Sequence, residues 1–259
     1  MIFALFLASA HASDVTLLPD RPLYAPLLSN TSSPYWGLRA SAGPNIQAAL
    51  GQEFQFCQFT VGDSVMQFGL SAGAFLGMQL DGPLTFPVQT LDGVISAPMD
   101  WSQRRLRIRT AWKHLSGHYA DGVRHLDKLP TNHEGLSREL WETDIQWLYS
   151  DMRLSGGVSW MIKSLVHNKG ASLRLGADWE SADRHGPHAA LEYTGQSWTE
   201  WTPGFVMQLG YSWIAESQRL RLGLRGYSGP NEVSKLEEQD DRYLAFQFSY
   251  HPRIPETQK

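Results

Sequence analysis

A histidine and a serine two residues apart, His114 and Ser116, are the side chains with the clearest potential for chemistry in this chain. On a β-strand this spacing places both on one face, with Cα atoms about 6.6 Å apart. At that distance an imidazole can take the proton of the serine hydroxyl and make it a nucleophile. Glu139 would hold the second imidazole nitrogen. The candidate catalytic residues are therefore Ser116 as nucleophile, His114 as base and Glu139 as orienting acid.

The segment that contains His114, residues 104–118, has the two-residue period of a β-strand, and so has the segment 138–150. In each segment one parity is apolar or aromatic and the other is charged or polar. An antiparallel pairing gives matched cross-strand pairs: Trp112 with Trp141, Thr110 with Thr143, Ile108 with Ile145, Arg109 with Asp144 and His114 with Glu139. A slip of one residue would destroy every match, whereas a slip of two residues stays open.

An apolar face outside and a charged face inside is the inverse of a globular domain, and a barrel embedded in lipid requires it. The sequence contains no stretch of about eighteen apolar residues, which excludes a helical membrane protein. The chain is predicted to be all-β, a single transmembrane antiparallel β-barrel of about twelve strands, with ten as the alternative. The competing fold is a soluble lipocalin-like barrel or sandwich whose apolar faces pack inward.

The composition agrees with a barrel that has aromatic girdles and a polar lumen. The 259 residues include 10 Trp, 9 Tyr and 11 Phe, although the mean hydropathy is negative, at -0.31. One large domain accounts for this length. A single cysteine, Cys57, permits no internal disulfide. The net charge of -4 argues against nucleic acid as a partner.

The chain divides into four predicted segments. Residues 1–12 form an apolar signal peptide with a small-x-small cleavage site, or else a short buried N-terminal segment. Residues 13–35, punctuated by prolines, form an extended periplasmic lead-in. Residues 36–251 form the barrel and 252–259 a C-terminal tail. Export would deliver the chain to the outer membrane of a Gram-negative bacterium, with outer-membrane lipids and the barrel-assembly machinery as partners and a monomer as the default state.

Long polar segments at 119–137 and 229–241 predict long outer loops, and tight turns are predicted at 100–103 and 150–152 on the inner side. Residues of metal-ligand types lie in or beside the first long segment: His118, Asp121, His125, Asp127, His133 and Glu134. Oxygen ligands would suit calcium and imidazoles would suit zinc, with His118 and Asp121 as the first candidates. The spacing matches no compact metal motif, so a solvated loop without a cofactor is the simpler interpretation.

Charged side chains on the inward parity would line the lumen: Arg105, Arg107, Arg109, Asp144, Arg219 and Arg221. Further cations on this face are Arg153, Lys163 and Arg174, opposite Glu142, Asp144 and Asp178. One interpretation is a narrow channel selective for anions or small solutes. The other is a salt-bridged interior that keeps a small barrel closed, which the narrow bore of about twelve strands favours.

Several short motifs resemble a bacterial family of predicted outer-membrane proteins known as a domain of unknown function, number twelve-oh-seven: Pro19-Asp20-Arg21, Tyr24, Leu27-Leu28, His114, Ser116, His118, Asp121 and Ser137-Arg138-Glu139. This resemblance spans nearly the whole chain and implies a barrel, but the family has no settled activity. The His-x-Ser pair resembles outer-membrane phospholipase and lipid A deacylase, which carry such a pair on the outer surface of a barrel strand. That resemblance implies a lipid ester hydrolase with His114 as base and Ser116 as nucleophile.

The alternative is a structural barrel without enzymatic activity. His114, Ser116 and His118 would then be ordinary polar residues where the strand leaves the bilayer. Trp112 and Trp141 would form the interfacial girdle that marks this exit.

Overall fold

The three-dimensional structure is a computed structural model that describes residues 14–30, 35–82, 85–122, 135–165, 170–181, 183–215, 218–232 and 240–251. The predicted signal peptide at 1–12 and the predicted tail at 252–259 lie outside the described residues. The same is true of four predicted metal-ligand candidates in the long loop: His125, Asp127, His133 and Glu134.

The described residues form thirteen antiparallel strands in one sheet. Their bounds are β1 Asp14–Leu17, β2 Trp36–Ser41, β3 Asn45–Val61, β4 Ser64–Gln79, β5 Val88–Gln103, β6 Leu106–Tyr119, β7 Leu136–Tyr149, β8 Met152–Ser164, β9 Ala171–Glu180, β10 His185–Gln196, β11 Gly204–Ala215, β12 Gln218–Pro230 and β13 Asp240–His251. A 3-10 turn at Ser197–Thr199 follows β10. No helix in the described part of the chain is long and apolar enough to cross a bilayer.

Twelve of these strands, β2 to β13, close into a barrel. The last strand β13 pairs with β2, β2 pairs with β3, and β3 pairs with β4. The short β1 adds to β3 beside β2, with Asp14 opposite Thr60 and Leu17 opposite Cys57. The predicted all-β barrel of about twelve strands is confirmed, and the alternative of ten strands is excluded.

The β6–β7 pair has the predicted register. Trp112 lies opposite Trp141, and His114 lies opposite Glu139. The two-residue slip is thereby excluded. The register is fixed because any odd slip would turn apolar side chains into the lumen, and other slips would lose the matched aromatic pair.

The two ends of the barrel differ in the length of their connections. The turns at 62–63, 104–105 and 150–151 are short and lie at the end where β2 begins and β13 ends, here called the turn end. At the opposite end, here called the loop end, more residues separate β4 from β5, β6 from β7 and β12 from β13. In outer-membrane barrels short turns face the periplasm and long loops face the exterior.

The barrel is apolar outside and polar inside. Outward residues in the middle of β11 and β12 are exposed, with Leu209 and Leu224 each at 53%, whereas the inward Gln208 and Arg225 are at 1% and 0%. In water this distribution would be unfavourable, because it exposes large apolar area and buries charge. It fits a barrel surrounded by lipid, so the chain is a transmembrane β-barrel of the outer-membrane type and the soluble alternative is excluded.

The proline-rich segment expected to be a periplasmic lead-in lies inside the barrel. Residues 21–30, here called the lumen plug, run through the ring of strands, and Tyr24, Leu27 and Ser29 are buried there. The guanidinium of Arg109 stacks over the ring of Tyr24 at 4.4 Å from the ring centroid. The periplasmic assignment of 13–35 therefore does not describe these residues.

Backbone hydrogen bonding explains why the plug enters the lumen. Its prolines prevent strand pairing, so its backbone groups need side-chain partners. Lumen side chains supply them: Gln67 accepts from Leu23 N at 2.7 Å, Gln146 and Arg153 donate to the Ala25 carbonyl at 2.7 and 3.0 Å, Asp178 accepts from Leu28 N at 2.9 Å, and Arg225 donates to the Ser29 carbonyl at 2.7 Å. Such partners require polar strand faces turned towards the barrel axis.

The lipid-facing assignment predicts the effect of a charge on the outer surface. Leu209→Arg should weaken the folded state in bilayers by about 2–4 kcal/mol, since an arginine near the bilayer midplane loses its hydration. Leu209→Phe, which keeps the position apolar, is the matched control and should fold normally. Heat-modifiable migration on gels after refolding into vesicles measures both variants, and normal folding of Leu209→Arg would contradict the assignment.

Candidate functional site

Two rows of outward side chains cross β6, β7 and β8 near the loop end. The first, here called the tryptophan row, consists of Trp112, Trp141 and Trp160 in directly opposed positions. The second, the polar row, lies nearer the loop end and consists of His114, Glu139 and Lys163. Opposed residues of antiparallel strands share one face of the sheet. This face points outward, because the intervening Lys113 and Leu115 line a cavity inside the barrel.

A hydrogen bond joins two members of the polar row. His114 Nδ1 lies 3.0 Å from Glu139 Oε1, and both side chains are partly buried. The imidazole also stacks against Trp112, with ring centroids 6.4 Å apart and an interplanar angle of 27°. A carboxylate acceptor favours the tautomer that carries its proton on Nδ1, which leaves Nε2 as the basic nitrogen. The ring is thus fixed by two contacts, and its basic nitrogen is not the one bound to Glu139.

Ser116 follows His114 on the same face, one row nearer the loop end. It lies opposite Ser137 on β7 and opposite Gly93 on β5. The absence of a side chain at Gly93 leaves room beside the hydroxyl, since a Cβ there would lie 3.0 Å from Ser116 Oγ. Among the described residues, no hydrogen bond joins Ser116 to His114. The structure therefore brings the side chains of His114 and Glu139 together and leaves the Ser116 hydroxyl to rotate.

Lys163 is a member of the polar row that the sequence pattern misplaces. Simple alternation along β8 puts it on the lumen face. A β-bulge opposite Glu139 and Leu140 changes this, because Leu140 pairs with Met161 whereas Glu139 pairs with Lys163. The extra residue, Ile162, reverses the parity of the strand, and Lys163 is exposed on the outer face. Met161 and Ile162 are both apolar, so the reversal leaves only a weak trace in the pattern.

Five of the six predicted lumen charges lie inside the barrel: Arg107, Arg109, Asp144, Arg219 and Arg221. Arg105 does not. Strand β5 continues to Gln103 beyond the turn predicted at 100–103, so the turn is formed by Arg104 and Arg105. The guanidinium of Arg105 lies over the ring of Tyr149 at the turn end, 5.6 Å from the ring centroid.

Ion pairs within the lumen connect strands that are not always neighbours. Arg109 lies opposite Asp144 in the register, yet it binds Asp100 at 2.7 Å and Glu53 at 2.5 Å. Further short pairs are Arg174 with Asp144 at 2.5 Å, Arg153 with Asp178 at 2.5 Å, and Glu180 with Arg219 at 2.6 Å and Arg221 at 2.9 Å. The alternation of adjacent strands does not predict Glu53 and Glu180 as ion-pair partners, because the long arginine side chains reach carboxylates on strands that are not neighbours.

A cavity of about 230 Å³ remains between the lumen plug and the loop end. Its lining carries both signs of charge, including Lys113 beside Glu142 at 3.4 Å and Arg39 beside Glu232 at 2.7 Å. A lining of mixed sign gives little preference for anions. The plug, the ion pairs and this mixed lining together support the closed, salt-bridged interpretation of the lumen.

The metal interpretation gains no support from the described residues. Within the ranges given above, no group of three or more His, Cys, Asp or Glu side chains is arranged to hold an ion. His118 is exposed near the loop end of β6, and Asp121 lies in the short turn that follows. The other four candidates lie outside the described residues.

Neither a protein-family model nor a curated protein matches the chain. The resemblance to the family of unknown function therefore has no matching family model behind it. Several solved structures resemble the chain at low sequence identity. The β domain of the Bordetella autotransporter BrkA has 11% identity and a TM-score of 0.47, with 84% of this chain and 96% of that chain covered.

Two further solved structures show the same level of similarity. OmpT, an outer-membrane protein of Vibrio cholerae, has 11% identity and a TM-score of 0.40 over 84% of this chain and 96% of that chain. An anion-selective porin from Comamonas acidovorans has 11% identity and a TM-score of 0.38 over 92% of this chain and 98% of that chain. The fold assignment of this chain rests on its own strand topology and on its inverted distribution of polar and apolar residues.

The plug predicts a barrel that does not conduct ions. Purified protein in planar bilayers should be electrically silent. Tyr24→Ala combined with Leu27→Ala removes two buried side chains of the plug, each worth about 2–5 kcal/mol, and should produce channel openings. Leu18→Ala is the matched control, because Leu18 precedes the plug and is exposed. Steady conductance of the unmodified protein would contradict a closed lumen.

Proposed function

We propose that this protein is an outer-membrane enzyme that hydrolyses acyl esters of outer-leaflet lipids with Ser116, His114 and Glu139. The hydrogen bond of 3.0 Å between His114 Nδ1 and Glu139 Oε1 carries the proposal. It joins a base to an orienting acid on the outer face of the barrel, and the serine lies two residues further along the same strand face. Packing alone does not explain a hydrogen-bonded polar pair on a barrel surface that is otherwise apolar.

The position of the cluster supports a lipid substrate. Tryptophan side chains concentrate at the boundary between hydrocarbon and headgroups, and the tryptophan row therefore marks that boundary on β6, β7 and β8. The polar row lies one row nearer the loop end, which is two residues along β6 and β7, about 6.6 Å, and three residues along β8 because of the bulge. Ser116 lies one row beyond the polar row. Acyl esters of membrane lipids lie between the hydrocarbon and the headgroups, and Ser116 lies on the headgroup side of the tryptophan row, so the substrate would be a lipid of the outer leaflet.

The proposed reaction is a two-step acyl transfer. His114 Nε2 takes the proton of Ser116 Oγ while this oxygen attacks the ester carbonyl carbon. The imidazolium returns the proton to the leaving alcohol oxygen, the C–O bond of the ester breaks, and the acyl group stays on Ser116. Water then attacks the acyl-serine with His114 as base, and the fatty acid leaves. Glu139 stabilises the imidazolium in both steps and keeps the ring in place.

The lumen has no part in this function. A solute channel is disfavoured, because the lumen plug and the paired charges occupy the bore. The same proposal includes location in the outer membrane of a Gram-negative bacterium, insertion by the barrel-assembly machinery and a monomeric state. These agree with a closed barrel whose working face is turned towards the lipid.

The hydrolase proposal predicts a specific pattern of mutant activity. Purified protein should release fatty acid from mixed micelles of phospholipid and neutral detergent. Ser116→Ala and His114→Asn should each lower the rate by about a thousandfold or more, since each removes a member of the reacting pair. Glu139→Gln should lower it less, because the imidazole keeps a hydrogen-bond partner.

Ser137→Ala is the matched control for this series. Ser137 lies on β7 directly opposite Ser116 and shares its outward face, but it is not next to the imidazole in sequence. Its replacement should leave the rate within about twofold of the parent, an ordinary surface effect. Heat-modifiable migration confirms folding of each variant. The proposal fails if Ser116→Ala hydrolyses lipid as fast as the parent protein does.

A further inference from the structure

The β8 bulge places a cation in the same row as the proposed base and acid. Lys163 lies directly opposite Glu139, and Glu139 lies directly opposite His114. Opposed Cβ atoms in antiparallel strands are about 5 Å apart, so a row of three spans about 10 Å. A lysine side chain can cover much of that distance. Its ammonium group can therefore contact a lipid molecule that is bound at Ser116.

This cation needs an explanation beyond folding. Without the bulge, Lys163 would face the lumen, where other cations of the barrel form ion pairs. The bulge turns it outward instead, and bulges commonly re-aim side chains beside functional sites. Among the described residues, no ion pair joins Lys163 to Glu139, whose carboxylate binds His114. The Glu139 carboxylate thus binds the His114 imidazole, and the Lys163 ammonium group is exposed on the outer face of the barrel.

The depth of Lys163 indicates what it meets there. Its neighbour three residues earlier is Trp160, a member of the tryptophan row that marks the membrane boundary. Lys163 lies one row nearer the hydrocarbon than Ser116, and its long side chain can extend towards the headgroups, where the ammonium group meets lipid phosphates. The lysine ammonium is a compact point charge that suits phosphate oxygens.

We propose that Lys163 binds the phosphate group of the lipid substrate and positions its acyl ester at Ser116. The inference rests on the proposed hydrolase function and adds the substrate class, a phosphate-bearing lipid. The phosphate belongs either to a phospholipid headgroup or to a phosphorylated glycolipid of the outer leaflet. Lys163 is a positioning residue in this scheme, because it touches the substrate away from the reacting bond.

A binding measurement tests the proposal without depending on catalysis. In the Ser116→Ala background, which does not consume lipid, native mass spectrometry in neutral detergent follows titration with four lipids: phosphatidylglycerol, diacylglycerol, phosphorylated lipid A and its dephosphorylated form. Lys163→Ala should weaken binding of a phosphate-bearing lipid by about fivefold, the worth of one lysine at an anionic surface. Binding of the two phosphate-free lipids should not change, and Lys163→Arg should retain the affinity.

Arg242→Ala provides the matched control. Arg242 is another exposed cation near the loop end, but it belongs to β13, far from β8 in the strand order of the ring. Its loss should leave all four affinities unchanged. A loss confined to phosphatidylglycerol or to phosphorylated lipid A supports the proposal and identifies the source of the phosphate. Equal affinity in Lys163→Ala, or an equal loss for phosphate-free lipids, would overturn it.

Hydrolysis by the otherwise unmodified protein separates the two proposals. Lys163→Ala should raise KM for the phosphate-bearing lipid by about fivefold and leave kcat unchanged, since the reacting groups stay in place. Phosphate-dependent binding without any hydrolysis would refute the enzyme and retain Lys163 as a lipid site. Hydrolysis with a KM that does not depend on Lys163 would retain the enzyme and refute the role of Lys163.

Discussion

The constraint on which this structure depends is that backbone N–H and C=O groups have no hydrogen-bonding solvent in lipid. Every strand within the bilayer must therefore pair on both sides, and a sheet achieves this only by closing. The pairing of β13 with β2 and of β2 with β3 is the closure. Closure in turn separates two environments, and the two-residue period of each strand assigns alternate side chains to lipid and to lumen.

The separation places charged side chains in the lumen, away from bulk water. Arginines and carboxylates removed from bulk water are unfavourable unless they are paired and hydrogen-bonded. Here they pair across the bore, as Arg109 does with Asp100 and Glu53, and further polar side chains such as Gln146 and Arg225 bind the backbone of the lumen plug. The plug and the wall thus satisfy each other. A segment that does not pair as a strand thus finds its backbone partners among the polar side chains of the lumen.

On the outer face, which contacts lipid, polar side chains are the unfavourable ones. Polar side chains are tolerated there only where the bilayer gives way to headgroups, and the tryptophan row marks that level. The hydrogen bond between His114 and Glu139 and the outward turn of Lys163 both occur one row beyond it. A local irregularity in one strand thus adds a cation to the row that contains the hydrogen-bonded His114 and Glu139.

The sequence by itself determined the features that depend on periodicity. Alternation in 104–118 and 138–150 predicts the strands, the inverted barrel and the pairing of His114 with Glu139, because a slip of one residue would destroy every match. The structure excludes the slip of two residues, which the period alone allows. Tertiary structure alone decided the rest. The plug and the partners of Arg109 depend on distances across the bore, which do not affect the local hydrophobic pattern. The outward position of Lys163 depends on one extra residue in β8, which leaves only a weak trace in that pattern.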